Sequence, residues 1–190
     1  MSVIYCTGNL IITRKDLSGN ILDIDKGSNL ILNTGLAAFT KLVSGQIAIP
    51  TNPTAGFNLN TYTTPVPYLP YYLQFGTSSI APSPTDVSVY QNGTLNANTV
   101  SPVGASPILR CTTYNTATNS IVFQAVLPPN QGNGPSGSGI TYREAVLMSY
   151  DVASPPKYSW FARRLFSDKF KDSSVIIEAE WKLTFATREV

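Results

Sequence analysis

The sequence predicts a mainly β protein. One domain spans residues 1–190, an antiparallel β-sandwich of jelly-roll type, with one amphipathic helix near residues 28–44 and an extended proline-rich arm over 49–70. Three observations carry this expectation. Charged residues make up 13% of the chain, about half the usual ~25%, and Gly, Pro, Ser, Thr and Asn take their place. Apolar and polar residues alternate in run after run, which is the period of a half-buried strand. Only one stretch has helical spacing. A chain of 190 residues is long enough to bury a core without staples.

The elements follow in order. Asn9–Arg14 (NLIITR) and Ile21–Asp25 (ILDID) read as paired strands, because Asp16–Asn20 (DLSGN) between them has the turn chemistry of a hairpin. Ser28–Val43 reads as the helix. Ser28 or Asn29 caps it, Leu30, Leu36, Ala37, Phe39, Thr40 and Val43 form its apolar stripe, Lys41 complements the dipole and Gly45 ends it. Gly35 in its interior is unfavourable for a helix.

Over 49–70, Pro50, Pro53, Pro65, Pro67 and Pro70 break any ladder. The segment reads either as a long loop packed on its own domain or as an arm on a neighbouring subunit. Its Phe57, Tyr62 and Tyr68, with Tyr71 and Tyr72 just after, are candidate subunit-interface residues, because aromatics bury large area at low entropic cost. Tyr68, Tyr71 and Tyr72 also form the one candidate platform for stacking on a sugar.

Tyr71–Gly76 is a strand entering the core, Val87–Tyr90 a short element, and Asn92-Gly93 a turn. Ile108–Tyr114 and Ser120–Leu127 read as a hairpin around Asn115–Asn119, with Ile121, Phe123, Ala125 and Leu127 on one face. Pro128–Gly139 (PPNQGNGPSGSG) reads as a flexible Gly/Ser hairpin loop. It is no phosphate-binding loop, since no Gly-Lys-Ser/Thr follows.

Gly139–Phe185 predicts a three-stranded antiparallel meander. In its last strand Ile177, Ala179, Trp181, Leu183 and Phe185 face the core. In the middle strand Tyr158, Trp160, Ala162, Arg164 and Phe166 share one face, and Phe161, Arg163 and Leu165 the other. Both faces of the first two strands are partly apolar, so they are expected to be central.

The chain contains no histidine, which removes the commonest general base and metal ligand. Cys6 and Cys111 are too few for a structural zinc site; they are either two isolated thiols or a pair. Glu178 and Glu180 are about 7 Å apart on one strand face, a spacing open to a glycosidase carboxylate pair. The plainer reading places them with Arg143, Glu144, Arg163 and Arg164 as scaffold ion pairs across strands. No enzymatic activity, cofactor or metal is expected. A net charge of +2 gives no footprint for nucleic acid. No run is long and apolar enough for a membrane span, and MSVIYCTGN is not a signal peptide, so synthesis in a reducing compartment is expected.

Several motifs carry a resemblance. Gly76, Thr77, Ala81, Pro82, Thr85 and Asp86 follow the first core strand; Arg143, Glu144, Ala145 and Leu147 stand in TYREAVLM; Phe161, Ala162, Arg163 and Phe166 in WFARRLFS; Trp181, Leu183 and Phe185 in the closing strand. With the preceding helix, this order resembles small virion structural proteins of tailed bacteriophages. Val146, where that pattern carries Gly, and the proline-rich insertion depart from it. The resemblance implies a neck, collar or tail component that self-assembles as a homo-oligomer. It would be made in the host bacterial cytoplasm and docked in the virion on portal, connector, tail or capsid proteins. A capsid decoration protein is the first alternative, and a carbohydrate- or receptor-binding module of a tail fibre the second.

Overall fold

The structure, a computed structural model, describes residues 2–43, 70–86, 109–110, 113–117, 119–134, 137–151 and 157–189. These residues form β1 (Ser2–Asp16), β2 (Ile21–Ile31), α1 (Asn33–Val43), β3 (Pro70–Gly76), β4 (Leu109–Arg110), β5 (Thr113–Ala117), β6 (Ser120–Leu127), β7 (Ile140–Asp151), β8 (Lys157–Lys171) and β9 (Val175–Glu189). Of the arm, 49–69 lies outside the described residues, as do Val87–Tyr90 and Asn92-Gly93.

Among the described residues, the mainly β, antiparallel, one-helix expectation holds. The sandwich does not: all nine strands belong to one sheet, in the order β4-β3-β7-β8-β2-β1-β9-β6-β5. β4, at one end, comes within 8 Å of β6, near the other. The sheet is therefore nearly closed and barrel-like, with its core inside the curl.

The predicted first hairpin forms and is longer than expected. β1 and β2 pair from Gly8–Asn29 to Lys15–Ile21. Asp16 closes the turn: its carboxylate accepts the Asn20 backbone N–H at 2.8 Å and the Asn20 side-chain amide at 2.9 Å.

The helix is shorter than its apolar spacing implied. Ser28–Ile31 continues β2, because Leu30 and Ile31 pair with Arg163 and Ala162 of β8. Neither Ser28 nor Asn29 caps α1. Instead Leu32 N and Asn33 N, at its start, donate to Phe161 O and Pro84 O at 3.0 and 2.9 Å. Gly35 explains itself here: a Cβ built on it would lie 2.2 Å from the Phe161 carbonyl oxygen. The missing side chain lets the helix backbone rest directly on β8.

The closing meander is only half right. β7 and β8 pair over their length, and β7 is buried on both faces from Glu144 to Ser149. β9, however, pairs with β1 and β6. The hairpin predicted over Ile108–Tyr114 and Ser120–Leu127 is also redistributed. Leu109–Arg110 joins β3, and β5 runs on to Ala117, opposite Ser120.

Pro128–Gly139 is not a hairpin loop. It crosses from β6 to β7, which are not neighbours in the sheet. Nor is it loose in its described part. Asn133 Nδ2 donates to Pro129 O at 2.7 Å, and Gly139 N donates to Asn133 O at 2.7 Å. Gly139 has φ +86°, and a Cβ there would strike the Phe170 ring. Its glycines are thus conformational requirements of one folded path.

The inner face is as expected for β6 and β9. Phe123, Ala125, Leu127, Ile177, Ala179, Trp181 and Leu183 are buried in one cluster with Leu10, Ile12, Leu73, Phe75 and Tyr142. β8 departs from the expected parity. A bulge sets Leu147 opposite Ala162 but Met148 opposite Trp160. Trp160 thereby moves to the outer side, against Leu32, Val146 and Met148, while Ala162 and Phe166 stay inside.

Candidate functional site

The six charged residues expected as scaffold pairs separate into different roles. Arg143 forms a bidentate pair with Asp168 at 2.9 and 3.0 Å on the surface. Glu178 pairs with Lys15 at 2.7 Å, and Glu180 accepts the Gln124 amide at 3.0 Å. The expected meeting of these glutamates with Arg143, Arg163 or Arg164 does not occur, because β1 and β2 separate β9 from β8. Both carboxylates are already engaged, on the outer face of the sheet.

Arg163 is fully buried and holds Glu144 Oε2 at 2.7 Å and Asp86 Oδ2 at 2.7 Å. Its Nη2 also donates to Ile80 O at 2.9 Å, and its guanidinium lies 5.8 Å from the centre of the Trp160 ring. Ser78 N donates to the other oxygen of Glu144 at 3.2 Å. Burial pushes the Glu144 carboxyl above its usual range, against the pull of Arg163. Asp86, Glu144 and Arg163 come from three of the motifs that carry the phage resemblance, and here Arg163 bridges the two carboxylates. Their work is to clamp the loop 77–86 onto β7 and β8.

Arg164 points to the inner side and closes the seam between β2 and β8, whose backbones pair only at Leu30 and Ile31. It donates to Leu10 O at 2.8 Å and bonds Asp25. Asp25 also accepts Ser167 N and Oγ, both at 2.8 Å. Burial raises the Asp25 pKa, but Ser167 and Arg164 outweigh it, so the carboxyl titrates below its usual range. Lys169, at 2.6 Å from Asp23, continues the seam.

Lys171 is a feature that the sequence reading missed. It is fully buried. Its ammonium donates to Asn133 Oδ1 and Asp172 O, each at 2.6 Å, and to Pro129 O at 3.5 Å. Tyr142 OH donates to Gly132 O at 3.1 Å beside it. These two side chains hold the described part of the 128–139 crossing in place. Burial lowers the Lys171 pKa to about 8. Only its place in the strand pattern, among polar neighbours, could have hinted at this.

The candidate interface aromatics fare differently. Phe57, Tyr62 and Tyr68 lie outside the described residues, and of Tyr71 only the backbone, in β3, is described. Tyr72 is half-buried against the chain's own cluster of Leu32, Val146, Met148 and Trp160.

A groove that no sequence signal marked lies on the other side of the helix. β1 is paired with β9 from Ser2 to Asp16, but with β2 only from Gly8 onward. Among the described residues, the second edge of Ser2–Thr7 therefore has no strand beside it. β2 leaves β1 to join β8, and the start of α1 follows it, with Thr34 Oγ1 bonding Trp160 O. An open groove of about 500 Å³ remains between that edge and α1. Tyr5, Cys6, Leu30, Ile31, Leu36 and Phe39 line it together with uncharged polar residues, and among the described residues no charged side chain enters. Tyr5 and Leu36 are 44% and 48% exposed, although large and apolar. Cys6 is a free thiol that burial pushes up to about 11; Cys111 lies outside the described residues. Phe39 stacks on Phe185 at 5.1 Å and forms the floor.

Among the described residues, no group of His, Cys, Asp or Glu is placed to hold a metal ion, and no helix is long and apolar enough to cross a membrane. The arrangement can offer a partner main-chain hydrogen bonds and an apolar wall. No protein-family model, curated protein or solved structure matches the chain, so geometry and sequence carry the functional reading.

Proposed function

We propose that this chain is a structural protein of a tailed-bacteriophage virion, without enzymatic activity. It self-associates and docks on the particle at the neck, collar or tail. The observation that carries this reading is the groove beside the Ser2–Thr7 edge, which among the described residues has an uncharged lining and no second strand. A strand edge next to exposed apolar side chains is a surface for association by strand addition, which natural monomers usually blunt. Two further points support it. The buried and seam-lining charges are spent on the scaffold, as at Arg163, Arg164 and Lys171. The motifs that resemble virion proteins supply the clamp that shapes the outer face. Its partners are further copies of itself and portal, connector, tail or capsid proteins.

The test has two parts. Sedimentation of the purified chain is expected to give an oligomer of defined copy number. A low-resolution image of the native particle with the chain labelled is expected to show density at the neck or tail. Density over the capsomers would replace this location with capsid decoration, and a chain that stays monomeric at high concentration and is missing from the particle sinks the reading.

A further inference from the structure

We propose that the groove receives an extended segment from a second copy of this chain, residues 57–62 (FNLNTY), added as a strand along the Ser2–Thr7 edge of β1. The inference rests on the self-association reading above and names its contact.

Among the described residues, nothing protects the receiving edge in the usual ways. Ser2–Gly8 (SVIYCTG) carries no Lys and no Pro, and its pairing with β9 runs without a bulge. These are the devices that keep strand edges from pairing. Leu36 and Phe39 of α1 line the slot beside it, a width that suits a single extended segment. The lining is uncharged, so a segment with a charge would lose hydration there without an ion partner.

The occupant fits on sequence grounds. No Asp, Glu, Lys or Arg occurs between Lys41 and Asp86. Within that span, 54–64 is free of proline, so its backbone can donate a full ladder. Phe57 and Leu59 alternate with Asn58 and Asn60, which puts apolar side chains on one face and amides on the other. The apolar face suits Leu36 and Phe39, and the amide face suits water. Residue 57 follows the end of α1 at Val43 by a stretch that can extend ~45 Å, enough to reach a neighbouring molecule.

The experiment uses the full chain with Cys6→Ser and Cys111→Ser. One preparation carries Leu36→Cys and the other Leu59→Cys. After mixing and mild oxidation, a disulfide-linked dimer of the two chains is expected, with neither preparation alone giving more than a trace. In the otherwise unchanged chain, Leu36→Asp is expected to at least halve the sedimenting mass while the thermal melt is retained. If the mass stays unchanged in Leu36→Asp and no cross-link forms, the groove is not the contact, although self-association stands. If a chain carrying both cysteines links only within itself, a second copy is not the occupant. A wild-type chain that is monomeric throughout removes this inference together with the reading it rests on.

Discussion

Arg163 and Glu144 meet at 2.7 Å with neither side chain exposed by more than 1%. The pair sits on the outer side of β7 and β8, under the loop that ends at Asp86. Removing one partner of such a pair leaves an uncompensated buried charge, which costs about 3–5 kcal/mol. Arg163→Ala is therefore expected to lower the unfolding free energy measured in urea by that amount and to open 77–86 to protease. Arg143→Ala, which breaks the exposed pair with Asp168, is the control and should leave the midpoint nearly unchanged. A small effect at Arg163 would show that apolar packing around Trp160, and not the clamp, holds the loop.

Gly35→Ala tests the contact of α1 with β8. Alanine in a helix interior is favoured over glycine by about 1 kcal/mol. Here the added methyl would meet the Phe161 carbonyl oxygen at 2.2 Å, and a backbone atom cannot swing away. Overpacking of this kind costs about 1–3 kcal/mol or more. A lower melting temperature is expected, and a higher one would mean that α1 does not seat on β8.

Lys171 predicts a pH dependence with a definite sign. Its folded pKa, about 8, lies below the ordinary 10.5. Between those values the unfolded chain binds more protons than the folded chain, so this group makes stability rise with pH across that window. Tyr142, pushed upward by burial, acts in the opposite direction at higher pH. The measurement is accordingly a difference: denaturation midpoints of wild type minus Lys171→Met, from pH 7 to 10. The difference should grow in favour of wild type as pH rises. A flat difference would place the ammonium in water.

Cys6 predicts slow chemistry. With its pKa near 11, about one thiol in a thousand is ionised at pH 8, against about one in four for an ordinary cysteine near 8.5. In a Cys111→Ser background, iodoacetamide labelling should be about two orders of magnitude slower in the folded chain than in urea. Equal rates would contradict the burial of this groove wall.

The readings that succeeded rest on strict period two. In β9, Ile177, Ala179, Trp181 and Leu183 alternate with Glu178, Glu180 and Lys182, and the structure buries the first set. The readings that failed depend on events which parity does not encode. A bulge in β8 turned Trp160 to the opposite side from Ala162 and Phe166. Ser28–Ile31 has spacing acceptable to a helix, yet the demand of β8 for a pairing partner made it strand. Of the candidate site, the identities of Arg163 and Glu144 were legible, but their joint partner Asp86 was not, because it arrives from a loop 77 residues from Arg163 in sequence.

The sequence by itself determined that the protein is mainly β and antiparallel, that a helix precedes the first core strand, which faces of β6 and β9 are buried, and that no histidine chemistry is available. Those properties are local: they follow from alternation, turn residues and composition. Only the tertiary structure decided that the sheet curls into one nearly closed barrel, that Lys171 ties down the described part of the 128–139 crossing, and that among the described residues β1 has an open edge beside α1. The reason is that each depends on which strand a given edge meets. Backbone hydrogen bonds carry no residue identity, so partner choice is settled by the packing of the whole chain.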